Sequence, residues 1–395
     1  MKRLRNFLGL EPNIIVMLVV IFIVGMGEEL WIRFIPKYLE LFGASAWVIA
    51  TYGTLKDFLD ATYQYPGGWI SDRLGRRKAL ILFSILATLG YTMYLFTTNW
   101  MPILIGLIFV MAWSSFSSPT IFAIIGDNLP QEQRATGFGV QSIVKRIPIV
   151  VAPSLGGLLI ITLGFFQGIH IGLILSIVLA FIAVIVVLRF YRERQRGYSD
   201  DISFKAQWLT LDRSLRRLLA ADCLARWAEG IPKVFIVLYA INVLKVSPFQ
   251  FGWLTSIEML TAILCYIPIA KLADRFNRKP FVILTFAFFA LFPLALVRAQ
   301  GFGWIVLAFI FAGLREIGEP ARKALIVDLA TETTRGRAVG MYYLIRGLVV
   351  FPASIVGGWL WTINNQLPFY VAFIAGVVGV IIYAIVGPGE KPVTV

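Results

Sequence analysis

The sequence predicts an all-α polytopic membrane protein with twelve transmembrane helices in two pseudo-symmetric six-helix bundles. Three observations carry the prediction. The 395 residues are 58% hydrophobic, above the roughly 45–50% of soluble domains. The excess falls in runs of about twenty residues, enough to cross about 30 Å of hydrocarbon. Lys and Arg crowd every second connecting loop, and one pattern of charges, prolines and glycines recurs in both halves.

Taken in order, the spans fall at about 13–36, 45–69, 79–98, 101–126, 136–160, 166–188, 215–243, 250–272, 281–298, 303–327, 337–361 and 366–388. Span 1 follows a basic start, MKRLRNF, but its apolar stretch is too long for a signal peptide and no small-x-small site follows before Glu28. Span 2 ends at Asp72, and span 3 has no interior charge. Span 4 carries Ser114, Ser115, Ser117 and Ser118 and ends near Asp127. Span 5 holds Lys145 and Arg146. Span 6 includes the uncharged run IGLILSIVLAFIAVIVVL (171–188), which is apolar all round, unlike a soluble surface helix. The longest polar segment, about 189–217, is too short for a core of its own. Span 7 bears Asp222, Arg226, Glu229 and Lys233 along one stripe; span 8 bears Glu258. Span 10 bears Arg315, Glu316, Glu319, Arg322 and Lys323, span 11 bears Arg346, and the interiors of spans 9 and 12 are uncharged. The expected domains are an N-terminal bundle (1–190), a linker (191–214) and a C-terminal bundle (215–395).

The net charge of +14 would suggest nucleic acid in a soluble protein. Here its distribution matters more. The alternate loops 2–3, 4–5, 6–7, 8–9 and 10–11 hold nearly all loop cations, whereas the opposite loops hold Lys37, Lys245 and Arg298. Positive charge marks the cytoplasm, so both termini are expected inside, in the cell (cytoplasmic or inner) membrane. The two cysteines, Cys223 and Cys265, lie in apolar runs, and His170 is the single histidine, assigned a structural role. No metal spacing, disulfide framework or nucleotide-binding loop is present, so no cofactor is expected.

The halves repeat in one register. Pro119, Asp127, Arg134, Gly139, Lys145 and Gly156-Gly157 recur as Pro320, Asp328, Arg335, Gly340, Arg346 and Gly357-Gly358. Such repeats mark paired transporter bundles. The loop GGWISDRLGRRK (67–78) recurs in part at Asp274, Arg275, Arg278 and Lys279. Asp72 lies where span 2 ends, its arginines need an acid, and Asp127 is the natural partner. The pair reads as a gate that forms in one conformation and breaks in another; the alternative is that the cations only hold the loop inside.

This loop resembles the loop 2–3 signature of the major facilitator superfamily, G-x-x-x-D-R-x-G-R-R, matched at Gly68, Asp72, Arg73, Gly75, Arg76 and Arg77. The second copy has Ala270 and Asn277 in place of the glycines. The resemblance covers the whole chain and implies the superfamily fold and a cytoplasmic gate built from those residues, Asp127, and Asp274, Arg275, Arg278 and Asp328. It implies nothing about the solute. In span 5, Ala152-Pro153-Ser154-Leu155-Gly156-Gly157 resembles the G-P-x-x-G-G element of proton-coupled antiporters in that superfamily, with Ala at the first glycine; a small-residue packing face is the other reading. Glu28-Glu29-x-x-x-Arg33-Phe34 resembles, at different spacing, an element of proton-coupled peptide transporters.

Charges left at depth sharpen this. A charge facing lipid at the bilayer centre costs about 3 kcal/mol or more, so charged spans face protein or water and the four uncharged ones can face lipid. Glu29 with Arg33, and Lys56 with Asp60, share helix faces at i,i+4. The proton-coupling candidates are Glu29, Asp57, Asp60 and Glu229. The substrate-cavity candidates are Arg33, Lys56, Lys145, Arg146, Arg226, Glu258, Arg315, Glu316, Glu319 and Arg346, with Lys145 and Arg346 suited to an anionic group. Trp31, Trp113, Trp227 and Trp253 are expected to pack or to mark the interface. The expected function is a secondary active transporter, not an enzyme, moving a small polar or charged organic solute by alternating access, proton-coupled, with export favoured, acting as a monomer. Alternatives are a proton-coupled importer or facilitator of an organic anion or peptide-like solute, or a lipid flippase of the same fold.

Overall fold

The computed structural model describes residues 11–193, 213–275, 279–319, 322, 325–326 and 335–387. Every regular element among them is helical: α1 (Pro12–Glu29), α2 (Ile35–Leu41), α3 (Ala46–Leu74), α4 (Arg76–Leu95), α5 (Met101–Met111), α6 (Ser117–Asn128), α7 (Gln131–Leu163), α8 (Phe165–Phe190), α9 (Arg213–Gly230), α10 (Ile236–Leu238), α11 (Pro248–Arg275), α12 (Lys279–Val297), α13 (Phe302–Leu314), α14 (Arg335–Val350), α15 (Ala353–Ile363) and α16 (Leu367–Val386). Eight helical stretches are long and apolar enough to cross a membrane. Elsewhere α3 and α9 are dense in charge, and α13 ends after 13 residues.

Four expected spans are not single helices. Span 1 breaks into α1, a short 3-10 turn and α2; span 7 breaks after Gly230; span 10 turns at 315–318; span 11 turns at 351–352. Pro232 and Pro352 lie in two of the breaks and lack the N–H that would continue a helix. Broken backbone at membrane depth must be buried in protein, and two glycines provide the room. A methyl added at Gly156 would sit 1.8 Å from the Leu30 carbonyl oxygen, and one at Gly357 would sit 1.9 Å from that of Ile231. Both pairs occupy matched positions of the repeat. Span 4 is continuous but widens into a π turn at Ala112–Phe116.

The chain divides into two compact units. One comprises Met1–Ala44, Leu59–Asp200 and Lys245–Ser256; the other comprises Ser45–Phe58, Asp201–Leu244 and Ile257–Val395. Residues 45–58 thus group with the second unit and 245–256 with the first. In the first unit, α1 packs on α7 and α8, and α4 on α5 and α8; the start of α11 meets α7, where a methyl on Gly252 would lie 2.2 Å from the Pro153 carbonyl oxygen. In the second, α16 packs on α9 and α12 around Leu218, Phe286, Phe289, Tyr342 and Tyr383. Gly53 of α3 there approaches Val234 and Ser354.

Candidate functional site

The basic loop of the first unit closes on itself. Gly75 adopts φ +85°, a left-handed angle open to glycine, and so separates α3 from α4. The turn brings Arg76 back over α3, where Nη1 donates to Asp72 Oδ1 at 2.5 Å and Ser71 Oγ at 2.8 Å, while Nε reaches Asp127 Oδ2 at 3.4 Å. Asp72 and Asp127 thus share one arginine. Arg73 instead stacks on Trp69, 4.1 Å from the ring centroid, and Arg77 donates to the Leu188 carbonyl. Gly68 faces Pro119 of α6. In the second copy, Arg278 and Asp328 lie outside the described residues, as do the side chains of Asp274 and Arg275.

Two further partners have no motif to announce them. The Glu193 carboxylate accepts from the backbone N–H groups of Arg76 (3.0 Å) and Arg77 (2.8 Å), capping α4 from the chain that leaves α8. Asn13 pairs with both the N–H and the carbonyl of Arg192 and donates to Asn128 at 3.0 Å. A lone Asn in an apolar run was the available signal for the second; Glu193 had none, because its partners are main-chain groups 116 and 117 residues away. Glu193→Ala is expected to raise amide hydrogen exchange at Arg76 and Arg77 about tenfold, the worth of a charge-assisted bond of roughly 1.5 kcal/mol. Exchange equal to wild type would remove the cap from the account.

Deeper in this unit, α1 places Glu29 Oε2 3.0 Å from Arg33 Nε, and Tyr91 donates to the buried Glu28 at 2.5 Å. Asp60 of α3 is exposed and accepts a 2.8 Å hydrogen bond from Ser115 Oγ. Ser115 lies in the π turn, a distortion frequent at functional sites, and Tyr63 stacks on Phe116 of the same turn at 4.0 Å. Among the described residues no cation pairs with Asp60. On α7, Lys145 shares the helix face of Gln141, Pro148 and Ala152, which are buried, and Pro148 packs on Gly25 of α1. Lys145 is nevertheless exposed, with no ion-pair or hydrogen-bond partner among the described residues. Arg146 and Lys56 are half-buried.

The second unit arranges its charges differently. The four- and three-residue spacing of Asp222, Arg226 and Glu229 puts them on one stripe of α9. Arg226 reaches Glu229 at 2.7 Å, Glu319 at 3.2 Å and Asp222 at 3.9 Å. Arg322 pairs with Asp222 and Glu319. Tyr342 donates to Asp222 at 2.8 Å, and Arg346 approaches it at 3.5 Å. Asp222 is fully buried and Arg322 is 1% exposed. The three acids and three arginines balance, as burial requires. Arg315 pairs with Glu258 at 2.7 Å and lies over Phe292; Glu316 is half-buried. Asp57 binds Lys233 of span 7 at 2.6 Å, not its sequence neighbour Lys56, since adjacent residues on a helix point apart. Lys323 lies outside the described residues.

The aromatic candidates scatter. Trp31 is buried and donates to Ser176 at 2.8 Å, Trp113 is buried, Trp227 donates to the Val349 carbonyl at 3.0 Å, and Trp253 is exposed. His170 meets the Tyr38 hydroxyl at 3.1 Å. Both cysteines are free thiols.

A family model described as Major Facilitator Superfamily matches residues 17–225 and again 218–395. The chain belongs to the major facilitator superfamily. It is a polytopic membrane transporter that carries small solutes through the bilayer, and it is not an enzyme. An MFS-type transporter of Methanocaldococcus jannaschii is 21% identical over 376 residues, covering 93% of each chain. The class H tetracycline resistance protein of Pasteurella multocida is 25% identical over 353 residues, covering 84% of each. The crystal structure of a nucleoside transporter, NupG, superposes with a TM-score of 0.81 at 13% identity, covering 95% of this chain and all of that one; at that identity the likeness concerns the fold. In this superfamily member, then, the two units invest their buried charge unequally. The second unit ties Asp222, Glu229 and Glu319 to Arg226, Arg322 and Arg346 in one network, whereas the first leaves Asp60 and Lys145 without an ionic partner among the described residues.

Proposed function

We propose that this transporter is a proton-coupled exporter of a small polar or charged organic solute, with Asp60 as the proton-carrying group. Glu29, Asp57 and Glu229 each sit in an ion pair, so taking up a proton would mean breaking that pair. Asp60 faces a hydroxyl instead. Ser115 can donate to the carboxylate and, by turning its O–H, accept from the carboxylic acid. Protonation there strands no buried partner charge, which suits a group that loads and unloads once per cycle. This is the observation that carries the reading.

Lys145 supplies the complementary contact. An exposed cation on a protein-facing stripe suits an acidic group of the solute. Residues Gly68–Arg77 with Asp127 form the cytoplasmic gate in this reading, both termini are cytoplasmic, and the protein works as a monomer. A relative from Lactococcus lactis, a homolog of a multi-drug resistance efflux pump and 23% identical over 394 residues, supports outward movement, as does the span 5 element.

The test is proton movement in inside-out vesicles challenged with drugs, sugars, amino acids, peptides and organic anions. A compound-specific collapse of the pH gradient is expected. Asp60→Asn should reduce that signal about 100-fold, the lower end of what a positioned proton-transfer group contributes, while leaving solute-for-solute exchange intact. Wild-type proton movement in Asp60→Asn would end the assignment. Loss of exchange as well would point to solute binding in place of proton transfer.

A further inference from the structure

At the end of the second unit remote from the basic loops, α12, α13 and the segment joining them border a cavity of about 320 Å³ lined by Ala295, Arg298, Gln300, Trp304, Leu307 and Phe311. That volume is at the lower end of small-molecule sites, about 300–1,000 Å³. We propose that it is a phospholipid site, the phosphodiester held by Arg298 and one acyl chain laid along Leu307 and Phe311.

Trp304, Leu307 and Phe311 follow i, i+3, i+7 spacing and present one face of α13. Trp304 is 61% and Leu307 36% exposed on a helix without a charged residue, so this face meets hydrocarbon. Ala295 is small and leaves the gap on the α12 side, and Phe311 is braced from α12 by Phe288 at 5.7 Å. Polarity is graded along the slot. Phe311 lies farthest along α13 from the connecting segment, Trp304 lies in the first turn of α13, where an indole suits the membrane interface, and Arg298 and Gln300 form the rim. Arg298 is exposed, with its guanidinium 6.0 Å from the Tyr370 ring, and no carboxylate pairs with it among the described residues. Gly301 and Gly303 leave the rim open, with nothing within 4 Å of an added methyl. An arginine fork at the polar edge of an apolar slot matches a phosphate attached to a chain. It does not match a free anion, which would leave the slot wet.

The experiment is native mass spectrometry of the full-length, delipidated protein titrated with phosphatidylglycerol. Arg298→Ala is expected to weaken the tightest binding event about tenfold, the share of one charge-assisted contact. Ala295→Leu, which fills the slot and keeps the arginine, should weaken it comparably. Lys245→Ala, which removes an exposed cation elsewhere, should leave it unchanged. Unaltered binding in both Arg298→Ala and Ala295→Leu would overturn the proposal. So would equal affinity for glycerophosphoglycerol, which has the headgroup without chains. None of these readouts depends on transport.

Discussion

Asp222→Asn is expected to cost this protein about 3–5 kcal/mol, the penalty for leaving a buried charge uncompensated. Asp222 holds Arg322, Arg346 and the Tyr342 hydroxyl on one oxygen, with Arg226 at 3.9 Å on the other side. The amide keeps the shape of the side chain and removes only its charge. Three arginines then face two acids around the buried Asp222 position. Adding Arg346→Gln restores neutrality and should recover a substantial part of the loss. The measurement is the thermal midpoint of the detergent-solubilised protein, followed by size-exclusion chromatography. A single variant as stable as wild type would show that water reaches the network. A double variant no better than the single would show that Asp222 acts through packing and not through charge.

Gly156→Ala and Gly357→Ala form the second large pair. Each added methyl would land within 2 Å of a carbonyl oxygen at the break of the first span in its half. Backbone cannot step aside as a flexible side chain can, so the cost exceeds the about 1–3 kcal/mol of ordinary overpacking. Little folded protein should be recovered from either variant. Gly139→Ala is the control, because a methyl there meets nothing within 4 Å and alanine favours the helix by about 1 kcal/mol. Normal recovery of Gly156→Ala would mean that α1 and α7 separate without penalty.

Much of the site was legible because charge in hydrocarbon is conspicuous. Asp222, Arg226 and Glu229 announced a shared stripe through their spacing alone, and Asp127 was the evident acid for the loop arginines. Partners were harder. Asp57 stood beside Lys56 in the chain yet binds Lys233, 176 residues away. Glu193 and Asn13 bind main-chain groups, which leave no trace in the identity of the residue they hold. Ser115 could be counted among four serines, but its selection depends on a π turn that no local pattern specified.

The sequence by itself determined that this chain crosses a membrane repeatedly, that its halves repeat, and which spans carry charge. Those properties follow from transfer energies and helix periodicity, which act residue by residue. Only the tertiary structure decided which acid meets which base, where spans 1, 7, 10 and 11 break, and that Asp60 and Lys145 remain outside the ion pairs among the described residues. Pairing depends on distances of a few ångströms between helices far apart in the chain, and the one-dimensional order of residues does not contain those distances.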